Sequence, residues 1–237
     1  MSLFNYNSSW YNSYTFIFVI QKRIFKSTYV SNFRMIFLLQ KLLLQSNSAR
    51  LLSIRDVTQL SSIRKISGTD NKISLTFSER FQLNEYLREN LNNWFPSSLK
   101  KISILDKDGK PKLCRIPTIA DRVWLELVKK SIEPVHEAIF NPRNFGFRFN
   151  RSFYEVQNSV FLNLSMSSYG WQKRFLKVSL PENLFVFDTS FVLSRLLVPR
   201  SIKLGILRYL KNGLHLSFCA TCFVFKSSKD LKLLVSF

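Results

Sequence analysis

KISILDKDGKPKLCRIPTIADR, residues 101–122, sets a pair of strands directly before a helix. Two short extended runs, Lys101–Leu105 and Lys112–Ile116, flank Asp106-Lys-Asp-Gly-Lys110. An Asp-Gly pair between such runs supplies the positive φ of a tight turn, so the stretch predicts a β-hairpin about Asp108-Gly109. After Pro117 the period changes. Ile119, Val123, Leu127 and Ile132 recur at helical spacing, which predicts a helix over 118–139, interrupted near Pro134.

Toward the amino terminus, Leu83, Leu87, Leu91 and Trp94 form the apolar stripe of a helix that Ser78 is placed to cap and Pro96 to stop. Residues 66–71 read as a loop. Residues 33–60 predict a long helical stretch with Leu38, Leu39, Leu42 and Leu43 recurring, broken at Ser46-Asn47-Ser48 and restarting at Ala49. Residues 8–29 predict another helix around Trp10, Tyr14, Ile17 and Ile20, turning basic at Lys22, Arg23 and Lys26. Toward the carboxyl terminus, residues 171–187 are expected to form one or two strands joined by a loop, and 190–212 a helix bent near Pro199. Residues 214–237 have no clear period.

Lys and Arg number 35 against 15 Asp and Glu in 237 residues, a formal charge of +20. Such an excess repels itself on compaction and attracts polyanions, nucleic acid first and an anionic membrane surface second. Between residues 1 and 69 there are nine Lys and Arg and a single acid, Asp56. A merely solvated face mixes both signs, so this helical region predicts a basic face for RNA. A hydrophobic content of 46% excludes general disorder. The 23 Phe, the many Ser, Asn, Leu, Ile and Lys, and the scarcity of Gly and Pro fit translation from an AT-rich genome, and so the expected source is an organelle or a reduced bacterium. No apolar run reaches the roughly 18 residues that span a bilayer. The first basic residue, Lys22, follows the apolar run Tyr14–Ile20 instead of preceding it, so no cleaved leader is expected. Cys219-Ala-Thr-Cys222 with His215 looks like part of a zinc site, but a structural zinc needs four ligands and only Cys114 could add another sulfur. Small buried apolar residues are the simpler reading, and neither metal nor cofactor is expected.

Four segments, in order, resemble the amino-terminal half of a group II intron reverse transcriptase/maturase. Leu38-Leu-Gln-Lys-Leu-Leu-Leu-Gln45, Ala49–Gln59 and Ser67-Gly-Thr-Asp70 resemble the extension that contacts intron RNA. Asp108-Gly-Lys110 with Ile116-Pro-Thr-Ile-Ala-Asp-Arg122 looks like the fingers hairpin and the helix leaving it. Glu133-Pro134, then Asn144-Phe-Gly-Phe-Arg148 with Arg151-Ser152, complete the series. The resemblance implies an α+β fold in three parts: a basic helical extension over 1–70, fingers over 71–170 and an incomplete palm over 171–237. It implies intron RNA as partner. The expected RNA-binding set is Lys22, Arg23, Lys41, Arg50, Arg55, Arg64, Lys65, Arg122, Arg148 and Arg151. Arg148 and Arg151, three apart, would present two guanidiniums to one phosphate track, with Phe145 and Phe147 anchoring the loop or stacking on a base. Arg122 has Glu126 as an alternative partner at i+4.

Polymerase chemistry in that family needs palm carboxylates that hold two metal ions. The sequence contains no Asp-Asp pair. In one register the first palm Asp falls on Ser179; in the other it is kept as Asp188. The fingers Lys falls on Asp106, which repels triphosphate, and the fingers Arg on Lys112, which lacks the bidentate fork. The expectation is therefore a non-polymerising, plastid-encoded protein that assists group II intron splicing, with the mitochondrion as second compartment. The alternatives are an inactive remnant, or half of a split reverse transcriptase whose palm a second protein chain completes.

Overall fold

The computed structural model describes residues 2–61, 66–105, 109, 111–146, 148, 151–169, 172–173 and 189–212. Three amino-terminal helices come first, α1 (Ser2–Tyr29), α2 (Phe33–Gln45) and α3 (Asn47–Arg55). Ile17, Ile20 and Ile24 form the buried stripe of α1, and Ile36, Leu39, Leu43 and Leu44 that of α2. The turn between them passes through Ser31 at φ +57°, and Asn32 caps α2 by accepting from the Met35 amide at 3.2 Å. Ser46 leaves the helical conformation at ψ 136°, which ends α2. Its hydroxyl accepts from the Ala49 amide at 3.2 Å, which starts α3. The break expected at residues 46–48 is thus a single serine serving two helix ends. A π-helical turn, Asp56–Leu60, continues α3.

Helix α4 (Phe77–Asn90) and a 3-10 turn (Leu91–Asn93) follow. The cap of α4 is Thr76, not Ser78. Thr76 accepts from the Glu79 amide at 3.4 Å while the Glu79 carboxylate accepts from the Thr76 amide at 2.8 Å. The reciprocal box needs an acid three residues after the cap, and the position three after Ser78 is Phe81. Strands β1 (Lys100–Leu105) and β2 (Pro111–Ile116) pair antiparallel from Lys100↔Ile116 to Leu105↔Pro111, with Gly109 at φ +71° between them. They are the only strands among the described residues, and the whole is mostly helical with one small hairpin, compatible with the expected α+β class.

Helix α5 (Ile119–Ile139) runs through Pro134 without a break. Proline has no N–H, so the Lys130 carbonyl four residues earlier loses its helical donor. The side chain of Gln21 on α1 supplies one at 2.9 Å. Gln40, fully buried on α2, donates to the next carbonyl, Ser131, at 3.2 Å and to that of Leu197 at 2.8 Å. The expected interruption fails because two glutamines on neighbouring helices satisfy this stretch of α5 from outside.

Helices α6 (Phe153–Leu164), α7 (Thr189–Arg195) and α8 (Arg200–Lys211) complete the description. The single bent helix expected over 190–212 is two helices, with Pro199 as the N-cap of α8. A core of Ile24, Leu43, Leu52, Leu87, Val123, Leu127 and Ile202 runs from α1 to α8. At one end Trp94, Trp124 and Tyr209 stack, with centroids 5.8 and 5.5 Å apart. The strands expected over 171–187 lie, apart from residues 172–173, outside the described residues, as does the segment 213–237 with Cys219 and Cys222.

Candidate nucleic-acid interface

Burying one stripe of α1 and one of α2 turns the remaining arcs outward. Lys22, Arg23 and Lys26 are exposed on α1, and Arg34 and Lys41 on α2. No acidic residue precedes Asp56, so neither helix carries a carboxylate beside them. Arg34 was not among the residues singled out from sequence. Its seven-residue spacing from Lys41, two helical turns, is the signal that places both on one outer face.

Asp56, the first acid, points inward. It accepts from the Lys130 ammonium at 2.6 Å, which also donates to Glu126 at 3.0 Å. Burial pulls the Lys130 ammonium down, but Glu126 and Asp56 together outweigh it, and the net shift is upward. Burial raises the Tyr14 phenol, and Asp56 beside it acts in the same direction. Lys130 therefore ties α5 to the π-helical turn, and Lys129 lies 3.9 Å from Glu126.

Three of the expected RNA ligands are instead internal. Arg50 is 4% exposed and donates to Asn84 Oδ1 at 3.1 Å and to the Gln45 carbonyl at 2.6 Å. Burial lowers its pKa. Arg122 is buried and donates to the carbonyls of Pro117 at 3.0 Å and Ile66 at 2.8 Å, joining α5 to the loop before α4. Arg148 has a side chain 5% exposed; it pairs with Glu137 and donates to the carbonyls of Asn141 and Asn144 at 3.1 and 2.8 Å. The Glu137 partnership raises its pKa. Arg148 and Arg151 do not form one phosphate track, because each has its own carboxylate. Arg151 pairs with Glu155 at 2.9 Å and remains about a third exposed, with its guanidinium 5.9 Å from the half-buried Phe145 ring. Arg55 is half-buried with its guanidinium 4.7 Å above Trp10. Arg64, Lys65, Phe147, Asp106, Ser179 and Asp188 lie outside the described residues, as does the side chain of Lys112. Among the described residues no group of three His, Cys, Asp or Glu could hold a metal, and no helix is long and apolar enough to cross a membrane.

Residues 6–87, which include all the exposed basic side chains of α1 and α2, match the N-terminal domain of reverse transcriptase. The chain is 49% identical over 215 residues to Maturase-like protein 1 of Euglena gracilis, covering 91% of this chain and 47% of that protein. It is 44% identical over 219 residues to Maturase-like protein 1 of Euglena longa, covering 92% and 48%. The chain belongs to the group II intron reverse transcriptase/maturase family. It spans about half the length of the curated family members it matches. The family match reaches Leu87 on α4, so the basic face lies in the best-identified part of the molecule.

Proposed function

We propose that this chain is an RNA-binding, maturase-like protein that assists splicing of a group II intron and does not polymerise DNA. The observation that carries it is the outer face of α1 and α2, where Lys22, Arg23, Lys26, Arg34 and Lys41 stand exposed with no carboxylate on either helix. Such a face lowers the repulsion between packed RNA helices and needs no metal. Within the residues present, the fingers positions that would grip a triphosphate fall on Asp106 and Lys112, which supports the non-polymerising reading. The name of the relatives, Maturase-like protein 1, fits a role in intron splicing, and their source in Euglena with the AT-rich composition favours a plastid gene. Arg55 and Arg151 are secondary contacts on this reading, while Arg50, Arg122 and Arg148 hold the fold.

The test is binding to the host intron RNA and to a size-matched control at about 50 and 200 mM salt. Retained preference for the intron at the higher salt, lost on replacing Lys22, Arg23 and Lys41 by Ala, is the expected result. Equal and steeply salt-dependent binding to both RNAs would sink the proposal and leave a cation that adheres to phosphate.

One observation favours a second polypeptide. Helix α6 buries no residue and exposes Phe153, Tyr154, Phe161 and Leu162. A chain supplying the rest of a palm would cover that face, and co-purification of such a chain, abolished by Phe161→Asp, tests it.

A further inference from the structure

Aromatic side chains are interleaved with the charges on the outer face of α1. Tyr11, Phe18 and Phe25 recur every seven residues, and they are 69%, 64% and 38% exposed. Tyr29, four residues after Phe25, is 79% exposed. Lys22 lies four residues after Phe18 and three before Phe25, and Lys26 one turn beyond, so ring and ammonium are neighbours at about 5–6 Å between Cβ atoms. The core does not need these rings, because α1 buries the opposite stripe of Ile17, Ile20 and Ile24. Large exposed rings on a helix otherwise meant for water call for an occupant.

We propose that this face is a stacking platform for unpaired RNA bases, with Phe18, Phe25 and Tyr29 taking the bases and Lys22 and Lys26 the intervening phosphates. The inference rests on the RNA-binding reading above and narrows it to single-stranded segments. Charge decides the class of occupant: a helix with lysines and no acid accepts a polyanion and repels a second copy of itself. Ring faces decide the form of the polyanion, since in a duplex the bases are already stacked on one another, and only splayed-out bases offer a free π-face. An anionic membrane surface would attract the same lysines, so vesicles form one arm of the test below.

The experiment compares the intact chain with a variant carrying Phe18→Leu, Phe25→Leu and Tyr29→Leu, which keeps apolar bulk and removes the aromatic faces. Each is titrated with an unstructured 12-nucleotide RNA, a 12-base-pair RNA duplex, and phosphatidylcholine/phosphatidylserine vesicles, over a salt series and after circular dichroism confirms unchanged helicity. The expected result is preference of the intact chain for the unpaired strand. The leucine variant should lose affinity for that strand by about tenfold or more, with an unchanged salt slope and little effect on the duplex. Equal binding of both RNAs, unaffected by the leucines, would overturn the platform and leave the basic-surface reading standing. Tight vesicle binding that survives the leucines, without preference for unpaired RNA, would overturn it in favour of a membrane. Absence of RNA binding altogether would remove both.

Discussion

At Gly205 the fold leaves no room for a side chain. A Cβ there would meet Trp124 Cη2 and Cζ2 at 2.7 Å, and Trp124 is itself fixed between Trp94 and Tyr209. Gly205→Ala should therefore cost about 1–3 kcal/mol, read as a lower urea midpoint by tryptophan fluorescence. Beside that stack, Asp121 accepts from Trp94 Nε1 at 3.0 Å, the Ser97 amide at 3.1 Å and Thr118 Oγ1 at 2.8 Å. Burial raises its pKa, while the hydrogen bonds from Thr118, Tyr209 and Trp94 oppose the rise. The folded state then keeps the proton over an interval above 3.8 in which the unfolded state has lost it, so this group's contribution to stability falls as pH rises through that interval. Tyr209→Phe removes one donor and should move the Asp121 titration, followed by carboxyl NMR, further upward. Glu79 behaves in the opposite sense. Lys72, then the Thr76 amide and hydroxyl, hold it down at about 2, against an ordinary 4.5. Its contribution is present above the ordinary value and disappears as pH falls toward 2. Lys72→Met should bring the measured Glu79 pKa back up; no change would mean that the capping contacts alone hold it.

Helix α5 shows how elements depend on one another. The Lys130 carbonyl, deprived by Pro134, relies on Gln21 from α1. Gln21→Met should cost about 1 kcal/mol or more in urea unfolding, and the cost should shrink in a Pro134→Ala background, where residue 134 regains an amide for that carbonyl. Equal costs in both backgrounds would show the glutamine to be incidental. The same helix marks what the sequence made legible. Ile119, Val123 and Leu127 were readable as inward positions because period is a local property, and the hairpin was readable because Asp-Gly has a local conformational meaning. The continuation through Pro134 was not, because its cause lies 113 residues away at Gln21. The α4 cap is set by Glu79, whose carboxylate closes the box on Thr76, so Ser78 on its own points two residues too far along the chain. At the candidate interface, sequence identified the basic helices correctly as elements. It could not separate exposed Lys22, Arg23 and Lys41 from buried Arg50 and Arg122, since a guanidinium that bridges carbonyls of distant loops has the same local context as one facing water.

At the scale of the molecule, a formal +20 on 237 residues makes the compact state repel itself. The melting temperature should rise between about 50 and 500 mM salt, as screening shortens the range of that repulsion to a few ångströms. A flat or falling response would mean that the pairs of Lys130, Arg148 and Arg151 already dominate the balance. Closure of the whole depends on α8. Arg208 donates to Asn93 Oδ1 and the Trp94 carbonyl at 2.9 Å and lies 3.7 Å over the Phe95 ring, while Asn212 reaches the Pro96 carbonyl at 3.2 Å. The Gln40 amide has a further consequence. Its acceptor at Leu197 is 157 positions downstream. At a synthesis rate of about 5–20 residues per second, the ribosome delivers that acceptor on the order of ten seconds after Gln40 has been added. Until then Gln40 has only its nearer acceptor, the Ser131 carbonyl, so α1 and α2 are held to α5 on one side before the carboxyl-terminal helices arrive to close the other.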